Sequence, residues 1–282
     1  MKPTKLLPSV LLLASLAFTP AHAALISTES FSGYTNATKL NAQTAPAVAG
    51  YTGDWVHGNT SFGTQDILTS TTGLSYSGLS TTGGSAGVPN NTSGGEIAAG
   101  NSGRVARSLD GSLTVTAGTT GTVYMSFLFQ TGRETGATTY QMLELYNGIN
   151  TINLNSDATR AFEAGSGSSN FNFGVGGPTA NQSLGAANTA VHQFIVRFDL
   201  SPTVGSDSAT VWLDSTTETG GIVTSGLNLA WDTLSLADYD GNSAVWDEIR
   251  WGTDFNSVTI PEPGAALLGG LGMLSLLRRR RA

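Results

Sequence analysis

The clearest pattern along the chain is an alternation of apolar and polar residues at positions 122–130, interrupted only by Leu128. The apolar side chains occupy every second position from Val123 to Phe129, and mostly polar residues fill the positions between them. Successive side chains of a β-strand point to opposite faces, so this alternation predicts a strand with one buried face. Residues 192–199 repeat the pattern and predict a second such strand.

Further short apolar runs, separated by Gly, Asn, Asp and Ser, predict more strands at fairly even spacing. These predicted strands are 113–116, 141–146, 149–154, 171–175, 210–214, 231–236 and 245–251. No long stretch of the body has a helical period. The pattern therefore predicts an all-β protein, a two-sheet jelly-roll sandwich over residues 24–258, with long loops at 81–103, 164–170 and 176–188.

The first 23 residues have the three parts of a secretory signal peptide. Lys2 and Lys5 form a basic start, an apolar run follows, and Ala21-His22-Ala23 supplies the small-x-small pattern that precedes a cleavage site. We expect cleavage between Ala23 and Ala24, and export of the rest of the chain.

The last segment, residues 259–282, has a different composition. It contains the triplet Pro261-Glu262-Pro263, an apolar stretch at 264–277 and a basic cluster made of Arg278, Arg279, Arg280 and Arg281. As a helix the apolar stretch would span roughly 21 Å, against roughly 30 Å for the hydrocarbon core of a bilayer. It is too short for a durable anchor, and we expect it to hold the chain at the inner membrane only transiently, with the arginines on the cytoplasmic side. The alternative is an ordinary C-terminal anchor with the same topology.

These three elements, in this order, resemble the PEP-CTERM sorting signal. The resemblance implies recognition and cleavage by an exosortase, a membrane-embedded enzyme of Gram-negative bacteria that make exopolysaccharide. It also implies delivery to the cell surface or to the extracellular matrix. Signal peptidase and exosortase are the partners expected during export, and exopolysaccharide is a candidate partner afterwards.

Composition narrows the possible functions of the body. Six of the 13 Lys and Arg residues lie in the two terminal segments, so the body carries 7 basic residues against 19 acidic ones. This balance argues against nucleic acid and anionic lipid as partners. The chain has no cysteine, so no disulfide holds the fold together.

Several segments of the body resemble the concanavalin A-like, LamG-type jelly roll found in many PEP-CTERM proteins. They are Leu25-Ile26-Ser27-Thr28-Glu29-Ser30-Phe31, Leu74-Ser75-Tyr76-Ser77-Gly78-Leu79, Arg104-Val105-Ala106-Arg107-Ser108-Leu109, residues 122–129, Trp246-Asp247-Glu248-Ile249-Arg250-Trp251-Gly252-Thr253 and Phe255-Asn256-Ser257-Val258. The resemblance implies a fold shared by lectins, glucanases and adhesion modules, so it does not by itself assign an activity.

The sequence contains no recognisable catalytic motif. The Glu-x-Asp-x-x-Glu pattern of glucanases is absent, and the adjacent Asp247 and Glu248 are expected on opposite faces of their strand. His57 and His192, the two histidines of the body, are expected to be surface or packing residues. We therefore expect a non-catalytic protein. The alternative is a polysaccharide-acting enzyme, a hydrolase or a lyase, whose carboxylates come from separate segments.

Two kinds of binding site remain open. Trp55, Trp212 and Trp246 are candidates for stacking on sugar rings, against the common alternative that they fill the core. Alternation places Trp212 and Trp246 opposite the core-facing residues of their predicted strands, which allows either ring to face solvent. Asp238, Asp240 and Asn242 have a spacing that can aim three oxygens at one calcium ion, but the same residues also stabilise an ordinary turn.

Overall fold

The computed structural model describes residues 24–57, 67–77, 79–81, 83–87, 103–131, 140–148, 160–167, 169–175, 182–239 and 244–259. Over these ranges the chain forms two large antiparallel sheets, a small two-stranded sheet, a short 3₁₀ helix at Leu40–Ala42 and one short α-helix, α1 (Phe255–Val258). Neither described helix is long and apolar enough to cross a membrane.

The first sheet has eight strands. Its members are β1 (Leu25–Glu29), β3 (Leu68–Ser70), β6 (Ser85–Gly87), β8 (Gly121–Thr131), β13 (Val191–Leu200), β14 (Asp207–Leu213), β15 (Ile222–Leu227) and β17 (Ala244–Gly252). They are arranged in the order β15-β14-β13-β8-β17-β6-β3, and β1 also pairs with β17. A small hairpin of β4 (Ser75–Tyr76) and β5 (Leu79–Ser80) forms a separate sheet.

The second sheet has seven strands. Its members are β2 (Tyr51–His57), β7 (Gly103–Leu109), β9 (Tyr140–Tyr146), β10 (Arg160–Gly167), β11 (Asn170–Val175), β12 (Gln182–Ala186) and β16 (Thr233–Tyr239). The order is β12-β11-β10-β9-β16-β7-β2. Neighbours in space are therefore often far apart in sequence: β9 lies between β10 and β16, and β16 pairs with β7.

The main apolar core lies between the two large sheets. Phe162 of β10 packs edge-on against Phe198 of β13, with ring centroids 5.1 Å apart, and Phe129 of β8 meets Phe171 of β11 at 6.3 Å. Each contact joins one sheet to the other. The prediction of an all-β, two-sheet sandwich is confirmed. Because the chain lacks cysteine, burial of this apolar surface is the main source of its stability.

A buried ion pair also joins the two sheets. Arg107 of β7 donates to the carboxylate of Glu29 on β1, at 2.8 Å, and the other guanidinium nitrogens donate to the carbonyls of Gly53 and Pro46. The second oxygen of Glu29 accepts from the backbone N–H of Phe31 at 2.9 Å. Burial raises the pKa of Glu29, and the contacts with Phe31 and Arg107 oppose that rise. The pair is therefore held by several hydrogen bonds as well as by charge.

Most predicted strands match observed ones, and two predictions differ. Residues 113–116 form no regular strand: the carbonyl of Asp110 accepts from the backbone N–H groups of Leu113 and Thr114 in a turn, and Val115 alone makes an antiparallel bridge, with Trp231. The predicted loop at 164–170 is mostly strand, the end of β10 and the start of β11. Gly and Ser are typical of loops, which is why this segment is predicted as one. In this sheet the same small residues allow neighbouring strands to pack closely. The predicted strand 149–154 lies outside the described residues.

The other two predicted loops contain short strands. β6 lies within 81–103, and β12 lies within 176–188. The strand β12 is exposed at most of its positions and forms one edge of the seven-stranded sheet, which explains why its sequence shows no apolar alternation.

The outer face of the eight-stranded sheet is partly covered by α1. Asp254 caps this helix, because its side chain accepts from the N–H of Ser257 while the Ser257 side chain accepts in return. Phe255 and Val258 of the helix pack against Tyr124, Ile195 and Trp212 on the sheet. The C-terminal end of the described chain is thereby held on the sandwich.

Candidate functional site

The outer face of the seven-stranded sheet carries a cluster of charged and aromatic polar side chains, which we call the outer-face network. Its members are Arg104 of β7, Tyr140, Glu144 and Tyr146 of β9, and Arg160 and Glu163 of β10. Alternation places Glu144 on this face, since its neighbours Leu143 and Leu145 both point into the core. Five of these side chains are buried, Glu144 completely, and Tyr140 is half-buried.

Glu144 is the centre of the network. Its Oε1 accepts from Arg104 Nη2 at 2.8 Å, from the hydroxyls of Tyr140 and Tyr146 at 2.7 and 3.0 Å, and from Arg160 Nη1 at 3.3 Å. Its Oε2 is buried and has no hydrogen-bond partner among the residues that the structure describes. One oxygen is therefore held firmly while the other is free to accept a hydrogen bond.

Glu163 is the cross-strand neighbour of Glu144 and has different surroundings. Its Oε2 lies 2.5 Å from Arg160 Nη1 and is hydrogen-bonded to the hydroxyl of Tyr140. Burial raises the pKa of Glu163 to about 7; the charge of Arg160 opposes this rise and that of Glu144 adds to it. A carboxyl group with this pKa is partly protonated near neutral pH.

The hydroxyl of Tyr140 lies between the two carboxyl groups. Its single proton points to one acceptor at a time, yet it contacts both Glu144 Oε1 and Glu163 Oε2. A proton on Glu163 resolves this conflict, because Glu163 then donates to Tyr140 while Tyr140 donates to Glu144. Burial raises the pKa of Tyr140 well above its ordinary value, and the nearby carboxylate of Glu144 adds to the rise, so the phenol keeps its proton.

Ser235 of β16 extends this arrangement to a third strand. It stands directly opposite Glu144 in the β9–β16 ladder, and its hydroxyl is buried without a hydrogen-bond partner in the described part of the chain. Glu163, Glu144 and Ser235 thus form a row of paired positions across three neighbouring strands. Gly174 of β11 stands opposite Glu163, and Ala106 of β7 stands opposite Ser235, so a small residue lies at each end of this row. The row thus presents an unpaired acceptor and an unpaired hydroxyl side by side.

Two of the tryptophans suggested as sugar-stacking residues fill the core, which corrects the prediction. Trp55 is 1% exposed, stacks on Phe31 at 6.1 Å and donates to the hydroxyl of Tyr34. Trp246 is fully buried and contacts Phe129 at 5.9 Å. A sugar ring cannot stack on a side chain that is enclosed in this way.

Trp212 lies on the outer face of the eight-stranded sheet, opposite the core, as its sequence neighbours suggested. It is nevertheless only 5% exposed, because Phe255 of α1 packs edge-on against it at 5.4 Å, and its Nε1 donates to the carbonyl of Thr219. The suggestion that it faces solvent is wrong, since α1 covers it.

The expectation that Asp247 and Glu248 point to opposite faces fails because β17 contains a bulge. The register shifts between Asp247 and Arg250, Glu248 has a φ of 48°, and Trp246 and Ile249 both enter the core. Both carboxylates lie outside the core: Asp247 accepts from Leu74 N at 2.8 Å, and Glu248 pairs with Arg250. Burial raises the pKa of Asp247 to about 7, partly opposed by its hydrogen bonds.

The calcium suggestion is tested only at Asp238. That side chain is buried at the end of β16 and contacts Gln141 Nε2 at 3.4 Å, while Asp240 and Asn242 lie outside the described residues. Within the described ranges, no group of three or more His, Cys, Asp or Glu side chains is placed to hold a metal ion. Calcium at this turn stays a prediction.

Both histidines of the body are described. His192 contacts Asp214 Oδ2 through Nδ1 at 2.6 Å and Asn188 Oδ1 through Nε2 at 2.9 Å, and it packs on Phe171. The ring nitrogens of His57 are buried without a hydrogen-bond partner. Neither histidine lies in the outer-face network.

The residues predicted for export are not tested by the structure. Ala23, Pro261, Glu262, Pro263 and the arginines Arg278, Arg279, Arg280 and Arg281 lie outside the described residues. Ala24, on the other side of the predicted signal cleavage, is the first residue described, and its backbone N–H donates to the hydroxyl of Thr253.

Sequence reasoning missed the outer-face network, although one signal was available. Glu144 falls between two leucines in a strongly apolar strand, and Arg104 and Glu163 occur in similar contexts. A charged residue that alternates with core residues is placed on the outer face, but the sequence does not reveal which strands lie side by side.

Comparison with known proteins assigns no family. No family model matches the chain, and no curated protein matches it in sequence. Among solved structures, it is similar to the globular domain of calreticulin from T. cruzi, with a TM-score of 0.47 and 10% identity over 72% of this chain and 85% of that one.

Two further solved structures are similar at the same distant level. An alginate lyase of polysaccharide lyase family 7 has a TM-score of 0.38 and 13% identity over 61% of this chain and 81% of that one. The binding domain of botulinum neurotoxin serotype G has a TM-score of 0.47 and 8% identity over 83% of this chain; the match spans only 49% of that chain. All three TM-scores are below 0.5, so the fold assignment rests on the strand order and the core described above.

Proposed function

We propose that this protein is exported and binds carbohydrate through the outer face of its seven-stranded sheet. The observation that carries the proposal is the pair formed by Glu144 Oε2 and the Ser235 hydroxyl, both buried and without a partner on adjacent strands. An unpaired buried polar atom costs about 1–3 kcal/mol, and a ligand that supplies the missing hydrogen bonds recovers that free energy. Two neighbouring sugar hydroxyls have the donors and acceptors that this pair lacks.

The export part of the proposal rests on the sequence. A signal peptide at 1–23 and the tripartite segment at 259–282 support secretion, transient attachment to the inner membrane of a Gram-negative bacterium and processing by an exosortase. The mature protein would then reside on the cell surface or in an exopolysaccharide matrix, where polysaccharide is available to a carbohydrate-binding face. The PEP-CTERM and LamG-type resemblances are part of this proposal.

Glycan binding is tested with the purified full-length protein. Calorimetric titration with exopolysaccharide and with a panel of defined oligosaccharides should give saturable binding to at least one glycan. Ser235→Ala should weaken that binding by about two- to tenfold, the range of one neutral hydrogen bond. Ser225→Ala, on the exposed strand β15, is the matched control and should leave the affinity unchanged. Equal effects of the two variants, or no binding to any glycan, would rule out this site.

The export proposal has its own measurement. Mass spectrometry of the protein recovered from the cell surface and from the medium should find an N-terminus at Ala24 and a C-terminus near Pro261-Glu262-Pro263. Replacement of this triplet by three alanines should leave the full tail attached. Recovery of the intact tail from the wild-type protein at the surface would contradict processing and favour a permanent anchor.

A further inference from the structure

A cavity of about 370 Å³ lies at the β3 end of the eight-stranded sheet, on the other sheet from the outer-face network. It is on the face that points away from the core, because Ala86 and Trp246 alternate with the strand residues that line it and are themselves core residues. The cavity is partly open to solvent. Small-molecule pockets typically measure about 300–1,000 Å³, so this one is large enough for a small ligand.

The floor of the cavity is a row of three paired positions on three neighbouring strands. Gly87 of β6 stands opposite Leu68 of β3 on one side and opposite Val245 of β17 on the other. The leucine and valine side chains are half-buried, and the glycine between them has no side chain. A Cβ at Gly87 would lie 2.3 Å from the carbonyl oxygen of Ala244, so a side chain there would clash with β17. The floor is therefore hollow at its centre and aliphatic at its sides.

One wall of the cavity is the turn that follows β3, and Asp247 of β17 holds this turn in place. Asp247 Oδ2 accepts from the backbone N–H of Leu74 at 2.8 Å and from the hydroxyl of Thr81 at 2.7 Å. Ser85 of β6 makes a second link, because its hydroxyl donates to the carbonyl of Thr72 at 2.9 Å. The wall is fixed to the sheet by side chains of two strands, so the cavity exists before any ligand enters it.

The polar groups around the cavity are neutral and partly unused. None of the described residues that line it carries a charge. Asn36 Oδ1 accepts from the backbone N–H of Thr71 at 3.2 Å, whereas its Nδ2 donates to no described residue. Ser70 Oγ accepts from the backbone N–H of Thr72 at 3.0 Å and keeps its own proton available. The hydroxyl of Thr72 makes no hydrogen bond within the described ranges, so the rim offers both donors and acceptors.

These features select the chemistry of a ligand. A charged molecule would lose hydration here without meeting an opposite charge. A methyl group fits the hollow between Leu68 and Val245, and a carbonyl or N–H next to that methyl finds partners in the hydroxyls of Ser70 and Thr72. An acetyl group joined to nitrogen or oxygen has this combination. The remaining volume and the Asn36 amide suit a small ring that carries hydroxyl groups.

We propose that this cavity binds one uncharged acetylated sugar unit, with the acetyl methyl on the floor and the acetyl carbonyl at the rim. The volume is at the lower end of the usual range, which suits a single unit better than a long stretch of chain. Binding here is independent of binding through the outer-face network, because the two sites lie on different sheets.

The test uses the full-length protein and two matched probes, N-acetylglucosamine and glucose. The first carries an acetamido group where the second carries a hydroxyl. Calorimetric titration should give saturable binding of N-acetylglucosamine and roughly tenfold weaker binding, or none, of glucose, since glucose lacks both the methyl contact and the amide hydrogen bonds.

Val245→Phe should fill the hollow beside Gly87 and lower the affinity for N-acetylglucosamine by roughly tenfold or more. Val223→Phe is the matched control, because Val223 is an exposed valine on β15, at the opposite end of the same sheet. It should keep the wild-type affinity.

Thr72→Val tests the rim without disturbing the fold, since the hydroxyl that it removes bonds to no described residue. It should weaken binding by about two- to tenfold, the range of one neutral hydrogen bond, and leave urea unfolding unchanged. This variant keeps the test decisive even if Val245→Phe unfolds.

The contrary outcomes are distinct from those of the outer-face network. Equal affinity for the two sugars, equal effects of Val245→Phe and Val223→Phe, or wild-type affinity of Thr72→Val would overturn the proposal for this cavity. Loss of N-acetylglucosamine binding in Ser235→Ala would move that sugar to the outer-face network and also overturn it. Failure of N-acetylglucosamine to bind at all would overturn the cavity proposal alone, because glycan binding through Ser235 is measured separately.

Discussion

Glu144 and Glu163 are the same residue type, face each other across two paired strands and are both buried. Their partners nevertheless differ. Four donors reach one oxygen of Glu144, whereas Glu163 contacts only Arg160 and Tyr140 among the described side chains. The burial of Glu163 dominates, and its pKa rises to about 7. Two carboxyl groups of the same type are therefore held differently because their surroundings differ.

This raised pKa has a measurable effect on stability. In the folded state Glu163 binds its proton more tightly than in the unfolded chain, so its contribution to the free energy of unfolding falls as pH rises from the ordinary Glu pKa, 4.5, to about 7. Above that range the contribution is constant. Urea unfolding at a series of pH values should show a smaller fall for Glu163→Gln than for the wild type.

Asp247 gives a control for this measurement. Burial raises its pKa to about 7 as well, so it contributes a fall of the same sign from a different part of the sandwich. Asp247→Asn should remove its own share, and the two substitutions should act additively, since they lie on different sheets. Identical pH profiles for wild type and Glu163→Gln would contradict the assignment.

For single residues, the sequence indicated which face of a strand a side chain occupies better than it indicated how exposed that side chain is. Glu144, set between Leu143 and Leu145, was identifiable as an outward-facing charge in a buried strand. Trp212 was correctly placed opposite the core, yet α1 covers it. Exposure depends on what packs over a face, and alternation along one strand carries no information about that.

Strand β17 shows how a single element departs from its sequence pattern. Strict alternation predicts that Val245 and Ile249 share the core face and that Trp246 points away. The bulge at Glu248 shifts the register, so Trp246 and Ile249 both enter the core. A bulge adds one residue to one strand of a pair, and its position depends on the partner strand, here β8. Periodicity alone therefore places the strand but not its side chains.

A second element, β10, depends on a glycine. A Cβ added at Gly165 would lie 2.0 Å from the carbonyl oxygen of Gln141 on β9, a contact that the backbone cannot relieve without separating the strands. Gly165→Ala should therefore lower the free energy of unfolding by about 2 kcal/mol or more. It should also weaken glycan binding, because β9 and β10 carry Glu144 and Glu163.

The matched control is Gly111→Ala. Gly111 lies in a turn, has no heavy atom within 4 Å of an added Cβ and needs no positive φ. Its substitution should change the unfolding free energy by less than about 0.5 kcal/mol. Similar effects of the two substitutions in urea unfolding would show that the close approach of β9 and β10 is not the cause.

For the whole molecule, the main question is how two sheets stay together without a disulfide. The aromatic contacts across the core supply most of the attraction, as with Phe162 and Phe198. The buried pair of Glu29 and Arg107 adds a directional link between β1 and β7. Breaking such a pair on one side leaves an uncompensated charge in the interior.

Arg107→Met should therefore destabilise the protein by about 3–5 kcal/mol, because Glu29 is left buried without its counter-ion. The double variant Glu29→Gln/Arg107→Met should recover part of that loss, since it removes both charges. Urea unfolding followed by tryptophan fluorescence measures both effects. Arg197→Met, which removes a half-exposed arginine paired with Asp199 and Glu218, is the control and should cost less than about 1 kcal/mol. Equal losses for the two single variants would contradict the linking role of Arg107.

The sequence by itself determined the class of architecture, because alternation of apolar and polar residues is a local property that each strand carries independently. It predicted strands such as β8, β13 and β14 at nearly their observed positions, and it predicted a sandwich from their number and spacing. It also supplied the export hypothesis, which depends on short contiguous segments.

Only the tertiary structure decided where the candidate site lies. Arg104, Glu144, Glu163 and Ser235 come from four strands, of which only β9 and β10 are consecutive in sequence, and the order β10-β9-β16-β7 brings them side by side. Strand order is set by the packing of the whole core and by the loop connections. It cannot be read from the periodicity of any one strand. The same packing buried the tryptophans and left one oxygen of Glu144 without a partner.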